Sequence, residues 1–276
     1  MAATDDDAIN VDFTYLRFED AIKVRKQIDL SPWIYSFGLD GTSIIIGMGA
    51  KFHDHWVEAK ESKIGTTKRG NGPAYRDKFA RTGVRAEDVP ALRPYLMDLY
   101  EELHERTTNP IILFEGAQGF GLDPDWGDYP YVTSSHCTVG SAILNGVPAN
   151  CIRNVWGVAK IYETYVGAKK FEGREQIFNE IRDLGEEYGA TTGRPRQINW
   201  LDFDLLKMAL RINGVNKLVI NKMDILQQLD IWCLYDGPNL YEFRSREDIE
   251  MWLESKIESE IMQEVEIMFS GDKTQI

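Results

Sequence analysis

The chain has 276 residues, of which 43% are hydrophobic and 27% charged, which is ordinary for a soluble globular protein. Its formal net charge of −13 argues against nucleic acid as a partner, because binding to phosphate backbones needs a basic face. No apolar run reaches membrane-spanning length, the acidic start does not match a signal peptide, and the three cysteines lack regular spacing. We therefore expect a cytoplasmic protein with no membrane partner.

Helix and strand patterns alternate along the chain. In chain order, the patterns predict a helix at 17–28, a strand at 43–46, a helix at 88–106, a strand at 111–114, an extended segment at 154–166, a helix at 174–188 closed by Gly189, a helix from Asp202 to about Gly214, a strand at 217–220, a helix at 247–261 and a strand at 265–269. This alternation indicates an α/β fold with a mostly parallel central sheet flanked by helices. Since no repeat or linker interrupts the pattern, we predict a single domain over residues 1–276.

Positive charge is concentrated in two segments of this acidic chain. The basic residues in these segments are Lys68, Arg69, Arg76, Lys78, Arg81 and Arg85 in the first, and Arg194 and Arg196 in the second. A basic pocket in an acidic protein suits a small anionic substrate, although a solvated charged surface also explains the first segment. The four histidines have no zinc-like spacing, so we predict no metal site among them.

The segment from Gly189 to Asp224 carries two motifs, one on each side of an amphipathic helix. The first, Thr-Thr-Gly-Arg-Pro-Arg, offers hydroxyls and two guanidinium groups, whose planar forks match a carboxylate or a phosphate. The second, Asn-Lys-Met-Asp, follows a strand-like apolar run, and a carboxylate placed there can accept two hydrogen bonds from the edge of guanine. Adenine lacks that pair of donors and would be rejected. The alternative for the second motif is a strand followed by a solvated turn.

Two further motifs precede this segment, IGTTKRGNGPAYRDK from Ile64 and FEGAQGFGLDPDWGDYPYVTSS from Phe114. Together with GATTGRPR, WLD and NKMD, in this order, they resemble adenylosuccinate synthetase, the ligase that joins aspartate to IMP with GTP. The form with Arg-Pro-Arg is similar to the compact archaeal or viral members. The resemblance implies a carbon–nitrogen ligase of purine and AMP biosynthesis that uses Mg²⁺ as cofactor and acts as a homodimer.

The resemblance also assigns ligand-binding roles to individual residues. For IMP they are Thr67, Arg81, Gln118 and Thr133, with Arg81 reaching the partner subunit's site. For aspartate they are Thr191, Thr192 and Arg194. For GTP they are Arg196, Lys222, Asp224, Ser270 and Gly271.

The chain departs from the family in its catalytic groups. The family's Gly-Asp-Glu-Gly-Lys-Gly-Lys loop, with its general base and Mg²⁺ contact, does not occur in these residues, and neither does the Gly-His-Thr segment with the general acid. We therefore identify no catalytic residue and no metal ligand, describe the chain as N-terminally incomplete relative to the family, and expect little turnover from it alone. Two alternatives stay open: the related viral ligase that takes dGMP in place of IMP, and a non-catalytic nucleotide-binding remnant.

Overall fold

The structure is a computed structural model, and it describes residues 33–37, 44–48, 64, 71–82, 99–105, 114, 116, 118–173, 176–189 and 193–271. The chain divides into two compact units, Met1–Cys151 and Ile152–Ile276. This division does not decide whether residues 1–276 form a single domain, so the single domain stays a prediction. Within the described ranges, no helix has both the length and the apolar character needed to cross a membrane.

Among its described residues, the first unit contains one strand pair and several short helices. Strands β1 (Trp33–Phe37) and β2 (Ile44–Met48) run antiparallel, with Trp33 opposite Met48. The helices are α1 (Asn71–Ala80), α2 (Leu99–His104) and α3 (Gly140–Leu144), joined by 3₁₀ turns at Phe120–Leu122 and Ala149–Cys151. The strand predicted at 43–46 is confirmed as β2, which begins one residue later than predicted. The predicted helix at 17–28 and residues 88–98 and 111–113 of two other elements lie outside the described residues.

The second unit is an α/β assembly. Its strands are β3 (Trp156–Lys160), β4 (Tyr162–Tyr165), β5 (Gln197–Asp202), β6 (Lys217–Asn221), β7 (Trp232–Asp236), β8 (Asn239–Phe243) and β9 (Glu266–Phe269). Its helices are α4 (Ile177–Leu184), α5 (Phe203–Asn213), α6 (Met223–Leu229) and α7 (Arg246–Glu260). One sheet is parallel in the order β3–β6–β9, and the other is mixed in the order β4–β5–β7–β8. The expected α/β fold class is confirmed.

Strand β6 lies at the centre of the parallel sheet because its sequence is apolar on both faces. Leu218, Val219 and Ile220 are all buried, as expected for an inner strand of a parallel sheet. The helix that precedes it, α5, begins where Asp202 Oδ1 accepts hydrogen bonds from the amides of Asp204 (2.9 Å) and Leu205 (3.2 Å). The capped helix α5 leads into β6, and the carboxyl end of β6 lies at the candidate site.

The helix predicted to run to Tyr188 and to be closed by Gly189 is wrong at its end. Helix α4 stops at Leu184, and Gly185 is its cap. Glu186 then takes a left-handed backbone conformation (φ 53°), which a helix cannot continue through. The turn places Glu187 outside the helix.

Candidate functional site

The carboxyl ends of two neighbouring parallel strands, β6 and β9, bring together four of the predicted GTP contacts. These are Lys222, Asp224, Ser270 and Gly271. After β6, Lys222 adopts a left-handed conformation (φ 64°) and turns the chain into α6, which places Asp224 in the first helical turn. After β9, the Ser270 amide donates to the Ile220 carbonyl (2.9 Å), and the Ser270 carbonyl accepts from the Met223 amide (3.2 Å). Ligands of open α/β sheets bind at such carboxyl ends of strands.

Asp224, a predicted guanine contact, lies in the first turn of α6. It is partly exposed, and its carboxylate accepts no hydrogen bond from any residue within the described ranges. Gly271 lies directly against it, since a Cβ built on Gly271 would stand 3.3 Å from the Asp224 amide nitrogen. Lys222 Nζ donates to the Gly185 carbonyl (2.9 Å), so the lysine stem is anchored beside Asp224. Asn221 Oδ1 is buried and has no hydrogen-bond partner among the described residues.

The arginine loop is closed at its base by backbone hydrogen bonds. Tyr188 pairs with Pro195 as an antiparallel bridge, and the Gly189 amide donates to the Arg194 carbonyl (2.8 Å). Gly193, with φ 60°, supplies a left-handed turn that costs a glycine little. Thr191 and Thr192, two of the predicted aspartate contacts, lie outside the described residues. The closed base holds Arg194 and Arg196 on one short segment.

Arg196 is tied to a buried carboxylate that the sequence reasoning missed. Glu187, 2% exposed, accepts a hydrogen bond from Arg196 Nη1 (2.9 Å). Lys160 Nζ lies 2.7 Å from both oxygens of the same carboxylate, and the Tyr162 hydroxyl donates to it at 2.8 Å. We call these four side chains the Glu187 cluster. A glutamate in the string Glu-Glu-Tyr-Gly resembles a solvated charge, so no local signal identified it.

The charges of the Glu187 cluster shift one another's pKa values. Burial alone would raise the pKa of Glu187, but the hydrogen bonds and charge of Lys160, with Tyr162 and Arg196, lower it below its ordinary value. Burial lowers the pKa of Lys160 despite its pairing with Glu187, and the nearby charges of Arg196 and Lys222 lower it further. Burial, and then the charge of Glu187, raise the pKa of Tyr162. The cluster thus consists of one carboxylate shared by two basic side chains and a phenol whose pKa is raised.

In the first unit, the predicted Gln118 and the segment around Thr133 are brought together. Gln118 has φ 64° and an exposed side chain, and its Oε1 accepts from Ser135 Oγ (3.3 Å). The Thr133 amide donates to the Leu122 carbonyl (2.8 Å), which fixes the intervening loop. Because Ser135 occupies the side-chain oxygen of Gln118, the side-chain NH2 group of Gln118 is the part presented for other contacts.

Asp123 organises that loop from the inside. It is fully buried, with Oδ1 accepting from the Asp125 amide (2.9 Å) and Oδ2 from the Cys137 amide (2.7 Å). Burial, together with the charge of Asp123, raises the pKa of Cys137 to about 12, so its thiol stays protonated at neutral pH.

The described residues offer one group that could hold a cation, Asp123, Asp125 and His136, whose ligand atoms lie within 4.8 Å of one another. This group does not fit Mg²⁺. The oxygens of Asp123 are already used by backbone amides, and an imidazole is a poor ligand for a hard cation that prefers oxygen. No step below is assigned to the metal.

Arg81 and Thr67 complete the predicted IMP contacts. Arg81 follows the end of α1, has φ 62° and is exposed, and its amide donates to the Lys78 carbonyl (3.0 Å). Thr67 lies outside the described residues. Among the residues that the structure covers, left-handed non-glycine conformations include those of Arg81, Gln118 and Lys222, all predicted ligand contacts. Such conformations are costly and collect at functional sites.

The family model for adenylosuccinate synthetase matches residues 40–91 and 89–234 of the chain. The adenylosuccinate synthetase of Thermus thermophilus is 36% identical over 222 residues, which is 64% of this chain and 54% of that protein. The adenylosuccinate synthetase of Xanthomonas oryzae pv. oryzae is 40% identical over 265 residues, covering 77% of this chain and 59% of that protein. The chain thus spans less than two thirds of the length of these relatives.

Solved structures agree with these matches. Fully ligated adenylosuccinate synthetase from Plasmodium falciparum superposes with a TM-score of 0.60 at 27% identity, covering 78% of this chain and 72% of that one. Succinoaminodeoxyadenylate synthetase of cyanophage S-2L, bound to dGMP and dATP, shares the fold with a TM-score of 0.53 at 22% identity, covering 74% of this chain and 69% of that one. The chain belongs to the adenylosuccinate synthetase family, whose members are carbon–nitrogen ligases.

Proposed function

We propose that the chain binds GTP, IMP and L-aspartate for the GTP-dependent formation of adenylosuccinate, the ligase step that leads to AMP. The observation that carries the proposal is Asp224, which follows the anchored Lys222 by two residues, whose backbone and Cβ lie against Gly271, and whose carboxylate accepts no hydrogen bond from the described residues. A carboxylate with both oxygens available can accept the two donors on the edge of guanine. The Lys222 stem offers an apolar surface for the flat base.

The arginine loop supplies the second part of the proposal. Arg194 would bind the carboxylate of L-aspartate, with Thr191 and Thr192 beside it, and Arg196 would lie between aspartate and GTP. The Arg196 guanidinium is held by Glu187 on one side only, through Nη1, so its remaining donors can serve a ligand. A guanidinium group that is already held in a fixed orientation loses little conformational freedom when it binds a carboxylate or a phosphate.

The first unit supplies the acceptor nucleotide's contacts in this proposal. Gln118 would bind the purine edge of IMP and Thr133 its phosphate, with Thr67 in the preceding glycine-rich loop. Arg81 would reach the IMP of a partner subunit, so the functional protein would be a homodimer, and we propose that it is cytoplasmic. The exposed position of Arg81 beyond the end of α1 leaves its side chain available for such a contact.

The reaction needs two chemical steps, phosphorylation of the 6-oxygen of IMP by GTP and displacement of that phosphate by the amine of aspartate. In this proposal the residues assigned above would bind and orient the three substrates. Bound Mg²⁺ supplies charge neutralisation of the transferred phosphoryl group in such reactions. No residue of the chain is assigned as general base or general acid.

Calorimetric titration of the full chain with GTP and with ATP tests the proposal. We expect GTP to bind at least about tenfold more tightly, since adenine leaves the Asp224 carboxylate unsatisfied. Titration with IMP and with dGMP, each in the presence of GTP and aspartate, then identifies the acceptor. Equal affinity for GTP and ATP would contradict the proposed guanine site, and tighter binding of dGMP than of IMP would contradict the proposed acceptor.

A further inference from the structure

We propose that Glu187 is a positioning residue, which holds the Arg196 guanidinium toward the ligands and connects the arginine loop to Lys222 through the turn 185–187. The proposal rests on the proposed function, because its effect is measured through GTP. None of the sequence motifs contains Glu187, and the residue acts only through Arg196 and Lys222.

Arg196 is fixed to Glu187 at two points. Its side chain donates through Nη1 to the Glu187 carboxylate (2.9 Å), and its backbone amide donates to the Glu187 carbonyl (2.9 Å). Arg182 Nε adds a third restraint by donating to the Arg196 carbonyl (2.6 Å). Both the backbone and the guanidinium of Arg196 are therefore set before a ligand arrives, and this lowers the entropic cost of binding.

The Glu187 cluster leaves guanidinium donors for an anion nearby. Two basic side chains, Lys160 and Arg196, share one carboxylate that is 2% exposed, and they are themselves 23% and 30% exposed. Tyr162 adds a donor and no charge. A phosphate or carboxylate ligand beside Arg196 would pair with the guanidinium donors that Glu187 does not use.

The turn 185–187 contacts both subsites at once. Its first residue, Gly185, accepts a hydrogen bond from Lys222 Nζ (2.9 Å), and its last, Glu187, binds Arg196. The turn has little room to move, because a Cβ built on Gly185 would stand 2.4 Å from the Tyr162 hydroxyl oxygen and 2.8 Å from the Ile181 carbonyl oxygen. That same hydroxyl donates to Glu187, so a change at Glu187 is transmitted to the anchor of Lys222.

The test is a double-mutant cycle read by calorimetric titration with GTP and with ATP, using the full chain. Glu187→Gln keeps the shape of the side chain and removes its charge, and Arg196→Lys keeps the charge and removes the fork. We expect Glu187→Gln to weaken GTP binding about tenfold and to reduce the preference for GTP over ATP. The double variant should bind GTP no more weakly than the weaker single variant, because both changes disrupt the same interaction.

Glu260→Gln is the matched control. Glu260 also accepts hydrogen bonds from two lysines, Lys207 and Lys256, each at 3.0 Å, but it lies on α7 and contacts none of the proposed ligand residues. We expect it to leave GTP affinity unchanged. If Glu187→Gln does not fold, Tyr162→Phe, which removes only the hydroxyl donor, should still weaken GTP binding a few-fold.

The outcomes separate this inference from the proposed function. A parent chain that does not bind GTP contradicts the proposed function and, with it, the role of Glu187. A parent chain that binds GTP, together with a folded Glu187→Gln variant of equal affinity, overturns the role of Glu187 alone. Additive effects of Glu187→Gln and Arg196→Lys would also overturn it.

Discussion

Gly271 packs against Asp224, so that a Cβ on Gly271 would stand 3.3 Å from the Asp224 amide nitrogen and 3.4 Å from its Cβ. The contact is made because β6 and β9 are neighbours in register, with Ile220 opposite Phe269. Each strand therefore delivers its following turn to the same place. The turn after β9 limits where the Asp224 carboxylate can lie, and guanine selectivity should depend on both residues.

Gly271→Ala should reduce the preference for GTP over ATP several-fold. The added methyl group meets the backbone of Asp224, which cannot move away as a flexible side-chain tip could, so the helix start must shift by a few tenths of an ångström. Paired titrations with GTP and ATP measure the ratio. Gly119→Ala is the control, since its Cβ would meet nothing within 4 Å. An unchanged ratio in Gly271→Ala would show that this contact does not position Asp224.

Asp224→Asn should reduce the same preference by about ten- to a hundredfold. The carboxylate's two acceptors become one acceptor and one donor, and the donor faces a donor on the guanine edge. Asp230→Asn is a matched control at the other end of α6, where the backbone is left-handed (φ 51°), a conformation that asparagine tolerates well. If Asp224→Asn keeps the parent's full preference for GTP, then another group reads the base.

Glu163 should make the stability of the second unit depend on pH. Burial, followed by the nearby charge of Asp202, raises its pKa from 4.5 to about 7, although the Asp202 amide donates to its Oε1 (3.4 Å). A raised pKa means that the folded state holds the proton more tightly than the unfolded state does. The stabilisation is therefore complete below pH 4.5 and is lost as the pH rises to about 7, by at most about 3 kcal/mol.

Glu163→Gln should flatten this part of the stability profile. Glutamine resembles the protonated acid and keeps an acceptor for the Asp202 amide, so we expect the variant to be more stable than the parent at about pH 8 and similar to it near pH 4.5. Urea unfolding at several pH values gives the comparison. Glu258→Gln, on the exposed face of α7, is the control. Parallel profiles for the parent and Glu163→Gln would mean that folding does not raise the pKa of Glu163.

Local sequence signals predicted the elements whose ends form the proposed guanine site. The apolar run 218–220 indicated a buried strand, and Asp202 and Gly214 marked the ends of α5, as the structure confirms. By contrast, the hairpin of β7 and β8 was missed although Gly237, with φ 59°, lies in its turn. Its outer strand is largely exposed, so it lacks the apolar alternation that identifies strands.

The parts of the site that the sequence missed depend on contacts between distant segments. Lys160 and Tyr162 lie on β3 and β4, far along the chain from Glu187, and only the folded second unit brings the three together. Likewise, Ser270 and Gly271 were assigned through resemblance, because nothing local to them indicates a base contact. Periodicity reports which face of an element is buried, but it does not report which buried polar groups meet.

The last prediction concerns Arg81 and the dimer. The resemblance assigns this arginine to the partner subunit's IMP site, and the structure leaves its side chain exposed beyond α1. Arg81→Ala should therefore weaken IMP binding about tenfold, because a charge-assisted contact to phosphate is lost, while GTP binding in the second unit stays unchanged. Sedimentation velocity should show a dimer of the parent chain in the presence of IMP.

The control for Arg81→Ala is an arginine of the preceding helix, α1. Arg76→Ala removes an exposed arginine of α1 that pairs with Asp77, and it should bind IMP as the parent does. A parent chain that stays monomeric at high concentration with saturating IMP would remove Arg81 from the site. If the parent chain is a dimer and Arg81→Ala binds IMP as the parent does, the interface has no role in IMP binding. The arginine would then serve only the contact between subunits.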